Sequence, residues 1–235
     1  MHNVTIPDFI LARAVEQRGR ERLFDGLDMA RTAHVIVDLQ NGFVAEGAPV
    51  EVPAAREIIG NVNAISDAVR RAGGINVFLR FTADPDEATP WDVYYSAHLD
   101  TAHRRLMQST FAAGSEAHAL YPGLEVSEGD LVIDKTRFSG LIPGTCDLDA
   151  LLRARGIDTM IITGTLTNCC CDSTARDAMQ MGYRIVFVTD GTATLSDVEH
   201  NATLISMATI FADLRTAEEV VALAAAGARS ADAAE

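Results

Sequence analysis

Short apolar runs alternate along this chain with longer stretches whose apolar residues recur every three or four positions. The runs have the length and β-branched content of strands, and the periodic stretches have the spacing of helices. Strands are expected at His34–Asp38, Ile75–Phe81, Leu131–Asp134, Thr159–Thr163 and Arg184–Asp190, with a sixth at Thr209–Leu214. Pro53–Arg71 places Ile58, Val62, Ile65 and Val69 on one helical face and stops at Gly73-Gly74. Leu148–Arg155 reads as a helix that Thr145 or Asp147 can cap, and Ser196–Ala208 as another. Thr216 caps a last helix, Ala217–Ala225, with Glu218 and Glu219 in its first turn. Pro7 can start a helix reaching about Arg22. Residues 82–110 show no clear period and read as a long connection, and Gly191–Thr194 reads as a turn. Strands alternating with helices predict an α/β fold: a doubly wound, mostly parallel sheet of six strands with helices on both faces. The expected layout is an N-terminal helical extension over 1–30, one domain over 31–226 and a frayed tail over 227–235.

Composition narrows the function. With 235 residues, 48% hydrophobic and 22% charged, the chain suits one large globular domain or two small ones. No apolar run reaches the roughly 18 residues of a membrane helix, and the first residues lack the pattern of a secretory signal, so the cytoplasm is the expected compartment. A net charge of −14 disfavours nucleic acid and anionic membranes as partners. Of the four cysteines, Cys169, Cys170 and Cys171 are consecutive, which rules out a spaced disulfide framework and supplies no zinc-ligand pair. No G-x-G-x-x-G, P-loop or G-x-S-x-G motif is present, and neither a metal nor a cofactor is expected.

Three expected strands end in reactive groups. Asp38 closes the first, Lys135 follows the third, and the cysteines follow the fourth at Thr163-Gly164-Thr165-Leu166-Thr167-Asn168. In a parallel sheet these ends share one edge, where open α/β sheets bind ligands. A cysteine at a strand-to-helix turn sits in the field of the helix N-terminus, which favours the thiolate. The same turn offers backbone N–H groups as an oxyanion hole, one from the cysteine and one from the Thr165–Leu166 region. On this pattern alone any of the three thiols could be the nucleophile. Trp91, Tyr94 and Tyr95 in the long connection are candidates for lining a pocket.

The chain resembles the isochorismatase-like cysteine hydrolases from about Thr32 to Ala225. The resemblance rests on Val35–Asn41, Lys135–Ser139 and Gly164–Ala178. In the last, Thr-Asn-x-Cys-x-Asp/Glu-x-Thr-x-Arg-Asp matches Thr167, Asn168, Cys170, Asp172, Thr174, Arg176 and Asp177. It implies Cys170 as nucleophile, Asp38 as general base and acid, Lys135 as third member of the triad, oxyanion donors at Leu166 and Cys170, and a cis peptide between Thr165 and Leu166. Gly164-Thr165-Leu166-Thr167-Asn168 is most similar to the N-carbamoylsarcosine and ureidoacrylate amidohydrolase branch. Residues 41–75 contain no histidine, so the metal-binding motif of nicotinamidases is missing. The cysteine argues against the vinyl-ether chemistry of true isochorismatases. The expectation is therefore hydrolysis of a carbamoyl, ureido or small amide C–N bond through a thioester-type intermediate, with ammonia released. An N-carbamoyl or ureido acid is the favoured substrate, bound by Gln40, Asn41, Phe43, Trp91, Tyr95 and Arg137, with Arg137 pairing a carboxylate. Alternatives are an uncharged ureide or amide such as biuret or triuret, or a non-enzymatic or redox role for the cysteines. The resemblance also implies a homo-oligomer, a dimer or tetramer.

Overall fold

A computed structural model describes residues 1–83 and 91–232. In chain order the elements are α1 (Asp8–Arg18), β1 (Thr32–Val37), α2 (Asn41–Val44), α3 (Ile59–Arg71), β2 (Ile75–Phe81), α4 (Thr101–Thr110), β3 (Leu131–Lys135), α5 (Leu148–Ala154), β4 (Thr159–Thr165), α6 (Asp172–Gln180), β5 (Arg184–Ala193), α7 (Asp197–Ser206), β6 (Asp213–Arg215) and α8 (Ala217–Asp232). The strands form one six-stranded sheet in the order β3-β2-β1-β4-β5-β6, and every pairing is parallel. The chain winds outward from β1 in one direction and from β4 in the other. The reversal falls between these two strands, and a crevice opens beyond their carboxyl ends.

Alternation within the strands builds a core on each face. Val35, Val37, Met160, Ile162, Ile185 and Phe187 point to one side, where Leu148, Leu152, Ala175, Ala178 and Leu204 cover them. Ile161, Val186 and Val188 point to the other, against Ile65, Val69, Val220 and Ala224 of α3 and α8. A third cluster joins Ile36 and Phe78 to Phe43, Val52 and Phe111 at the crevice end. Burying each large side chain contributes about 1.5–3 kcal/mol, so these two-sided strands hold the sheet from both faces.

Several boundaries differ from the periodicity. Pro53–Ile58 is a 3₁₀ segment, and the α-helix proper begins at Ile59. α1 stops where the Gly19 N–H bonds Val15 O, and Arg22 leaves the helix to reach Leu214 O and Glu219. Residues 82–110 contain α4, because the Asp100 carboxylate accepts from His103 N–H at 2.8 Å and Met107 packs on the crevice cluster. Neither proposed cap closes α5, since Thr145 Oγ1 donates to Ile142 O instead.

Gly191–Thr194 is not a turn. β5 runs on to Ala193, with a register shift opposite Ile162 and Gly164 that takes up the extra residues. A Cβ on Gly191 would lie 2.8 Å from Val188 Cγ1 and 3.0 Å from Thr163 Cγ2, so the glycine is there for close packing. The sixth strand is also shorter than expected. A π-helical turn, Met207–Phe211, continues α7 and leaves only Asp213–Arg215 to pair with β5. A short apolar run cannot distinguish helix from strand by period alone. α8 is capped as expected: Thr216 Oγ1 accepts from Glu219 N–H at 3.2 Å and Glu219 Oε2 from Thr216 N–H at 2.8 Å. It extends to Asp232, through much of the expected tail.

Candidate active site

Asp38 follows β1 with φ 52°, the only positive φ outside glycine among the described residues. Its N–H donates to Leu79 O at 3.0 Å, which keeps the bent backbone tied to β2. The carboxylate is fully buried. Lys135, the last residue of β3, is fully buried as well, and its Nζ donates to Asp38 Oδ2 at 2.8 Å and to Arg137 O at 3.0 Å. It is the only lysine in the chain. An ammonium taken out of water at that depth needs such partners.

The cysteine turn is fixed from both sides. Gly164, at φ 115°, lies against β1 so closely that a Cβ would fall 2.1 Å from Val37 O. The Thr165–Leu166 peptide is cis. Thr165 Oγ1 donates to Ala193 O at 3.1 Å, Thr167 Oγ1 bonds His200 Nδ1 at 3.0 Å, and Thr194 Oγ1 donates to Asn168 Oδ1 at 2.6 Å. Thr167–Cys171 then forms a π-helical turn into α6. The N–H groups of Cys169 and Cys171 both donate to Leu166 O at 3.1 Å.

The three thiols have different surroundings. The Cys171 thiol is buried in the core and donates to Thr163 O at 3.8 Å. Cys169 and Cys170 line a cavity of about 410 Å³. Of these two, Cys170 is the thiol close enough to the Asp38 carboxyl to oppose the upward push of burial on it. Asp38 Oδ1 is buried and has no hydrogen-bond partner among the described residues. Asp38, Lys135 and Cys170, from three different strand ends, come together beneath the cavity, and of the three only Cys170 lines it.

Burial pushes the Asp38 carboxyl above its ordinary range, against the opposing pull of the Lys135 charge, of the neighbouring Cys170 thiol and of the Lys135 hydrogen bond. Burial alone would depress Lys135, but the Asp38 and Cys170 charges together with the Asp38 hydrogen bond leave it raised. The Cys170 thiol is raised well above its usual value by its contact with Cys169, by burial and by the Asp38 charge. Burial thus opposes the charge on both Asp38 and Cys170, whereas the Lys135 charge favours it.

The wall of the cavity differs from the one expected. Phe43 lines it, joined by Val50, Val52, Phe81 and Met107. Tyr94, Phe138, Leu166 and Leu195 complete the apolar part. Tyr95, Trp91 and Arg137 are not in the lining. Trp91 stacks on Tyr94 with centroids 4.5 Å apart and meets the Phe138 ring edge-on at 4.7 Å. The Arg137 guanidinium lies 5.1 Å from the Trp91 ring and donates to Thr136 O and Thr136 Oγ1. These residues back the wall. Gln40 is also a brace: its amide donates to Phe81 O and His118 O and accepts from Phe81 N–H, all within 3.0 Å. Asn41 Nδ2 donates to Glu116 O at 2.9 Å. Both amides hold the 116–120 segment and neither points at the thiols' cavity. The sequence offered Tyr94 only as one of three aromatics in the long connection, and it did not single out Phe138 as a contact. The only available signal was the position of Phe138 within Lys135–Ser139.

A family model described as the isochorismatase domain matches residues 32–219. The chain belongs to the isochorismatase family of hydrolases. An uncharacterised isochorismatase family protein, YwoC of Bacillus subtilis, is 33% identical over 197 residues, covering 82% of this chain and 94% of the relative. Ureidoacrylate amidohydrolase RutB of Rhizobium rhizogenes is 31% identical over 209 residues, covering 83% of this chain and 84% of the relative. Among solved structures, N-carbamoylsarcosine amidase from Thermoplasma acidophilum superposes with a TM-score of 0.65 at 25% identity, covering 80% of this chain and 97% of that one. These similarities put the chain in the family near the amidohydrolase branch.

Proposed function

We propose that this family hydrolase cleaves a carbamoyl or amide C–N bond with Cys170 as nucleophile. The observation that carries the reading is the buried Cys170–Asp38–Lys135 constellation at the floor of a cavity. Cys170 Sγ attacks the carbonyl carbon as its proton passes to Asp38, whose raised basicity suits it to accept. The carbonyl oxygen becomes an oxyanion beside the N–H groups of Leu166 and Cys170. Each such donor contributes roughly 3–4 kcal/mol to the transition state. The C–N bond breaks as Asp38 returns its proton to the leaving nitrogen. For a primary amide or terminal urea, ammonia leaves and a thioester or thiocarbamate stays on Cys170. Water then attacks, giving one proton to Asp38, and collapse regenerates the thiol. Lys135 stays charged throughout and holds Asp38 in line.

The amidohydrolase names of the relatives support a small amide or ureide as substrate. The test is ammonia release by Cys170→Ala, Cys169→Ala and Cys171→Ala from a panel of ureides and amides, with intact-mass trapping of the covalent intermediate. Only the Cys170 variant should be inactive and fail to trap. Full activity in Cys170→Ala would refute the assignment.

A further inference from the structure

We infer that the substrate is an uncharged amide or ureide carrying an apolar group, not an N-carbamoyl or ureido acid; this deepens the proposed function and rests on it. The argument comes from what lines the cavity and what does not. Outside the two thiols, the lining is apolar or aromatic except for one charged residue, Glu51. That residue is an anion. Glu51 Oε1 pairs Arg56 at 2.7 Å and Oε2 accepts from Gly47 N–H at 2.9 Å. The Arg56 hydrogen bond, with the Gly47 N–H, holds the carboxyl below its ordinary range, so it stays ionised. The Arg56 guanidinium is taken up by Glu51 and by Val44 O at 2.8 Å.

No Lys, Arg or His lines the cavity among the described residues, and residues 84–90 contain none in their sequence. The nearby cations are committed: Lys135 to Asp38, and Arg137 against Trp91 with hydrogen bonds to Thr136. The Tyr94 phenol is pushed up to about 12, chiefly by burial, so it offers a neutral hydroxyl. A substrate carboxylate in this space would lose its hydration, find no cation and face Glu51. An alkyl or aryl group would instead be covered by Phe43, Phe81, Met107, Phe138 and Leu195. The volume of about 410 Å³ lies toward the small end of ligand cavities, which suits one modest apolar group beside the amide. A second cavity, of about 280 Å³ between α1 and the β5–β6 edge, lies far from the thiols, and its Arg22 and Arg215 are paired with Glu219 and Asp213.

The test uses amides matched in length and differing in one terminal group: hexanamide against adipamate, and 4-methylbenzamide against terephthalamate. The neutral member of each pair should have a kcat/KM at least about thirtyfold higher, consistent with the cost of like-charge juxtaposition. Glu51→Ala, which releases Arg56, should shrink that ratio by raising turnover of the anionic member. Equal or reversed preference overturns the inference while leaving the proposed function intact. If neither these pairs nor the panel of ureides and amides releases ammonia, the proposed function fails. The inference is then decided by labelling Cys170 with iodoacetamide and iodoacetate, read by site-resolved mass. Neutral-over-anionic selectivity about tenfold above that of glutathione supports it, and selectivity no greater than glutathione's refutes it.

Discussion

The floor of the cavity is made by strand ends, whereas its wall is assembled from pieces of loop and helix. On the floor, Asp38, Lys135 and Cys170 follow or end β1, β3 and β4, strands whose register is set by parallel pairing through β2 and β1. In the wall, Tyr94, Met107, Phe138 and Leu195 come from four segments with no common ladder. Their positions depend on aromatic stacking and apolar packing. The contrast teaches that a sheet edge can hold chemistry fixed while the surrounding side chains, and with them the substrate, change. Substitutions on the floor should therefore abolish turnover, and substitutions in the wall should mainly move KM.

The largest effect is expected at the buried ion pair. Lys135→Met leaves the Asp38 carboxylate buried without its cation, and stability should fall by about 3–5 kcal/mol in urea unfolding. Ammonia release should fall by a factor on the order of 1,000 or more, as expected for loss of a member of a catalytic unit. The double variant Lys135→Met with Asp38→Leu replaces both charges by apolar groups. It should recover much of the stability and none of the activity. If the double variant turns over substrate, the floor is structural and the contrast collapses.

Next comes pH. Because the Asp38 carboxyl is raised by burial, the acidic limb of kcat/KM should lie above the ordinary carboxylate range of about 4. Activity should fall as pH drops through that raised value, because the protonated carboxyl cannot accept the thiol proton. Lys135 should remain charged at pH values where an exposed lysine titrates. As the chain's only lysine, it gives a single side-chain signal after ¹³C-lysine labelling. In Asp38→Asn the attraction is lost and burial remains, so its pKa should move down. A signal titrating at the ordinary lysine value in both proteins would show that the two groups are not coupled.

What was legible in the sequence follows the same division. Five strands were visible as apolar runs and the sixth only at its start, and Asp38, Lys135 and the cysteine turn could be placed on one edge because parallel strands point the same way. Choosing Cys170 needed the motif resemblance, since spacing alone left three thiols. The wall was largely illegible. Trp91 and Tyr95 were chosen for residue type, but the local turn Tyr94–His98 presents Tyr94 to the cavity. Gln40 was placed by its nearness to Asp38. Its amide is instead occupied by Phe81 and His118, which long-range hydrogen bonding decides and periodicity cannot show. Glu51 belongs to a segment with no chemical signature, and its importance appears only where the chain folds back beside Phe43.

Within the wall, Phe138→Ala should have the larger effect, because Phe138 lines the cavity and also contacts Trp91 and Tyr94. Removing a buried aromatic ring typically costs about 3–5 kcal/mol of stability where it is fully packed. At this partly open site the clearer readout is KM, expected to rise about tenfold for the neutral amide with kcat reduced much less. The smallest effect belongs to Trp91→Leu. Trp91 does not line the cavity, yet it stacks on Tyr94, meets Phe138 edge-on and carries the Arg137 guanidinium on its ring. Aromatic pairs of this kind are worth about 0.5–1.5 kcal/mol each beyond their area. Leucine keeps apolar cover and gives up the stacking, so KM should rise only about two- to fivefold, with kcat and the pH profile unchanged. Michaelis–Menten analysis across pH would check this. A large fall in kcat, or a shifted acidic limb, would mean that the wall reaches the Asp38 carboxyl and that floor and wall are not independent.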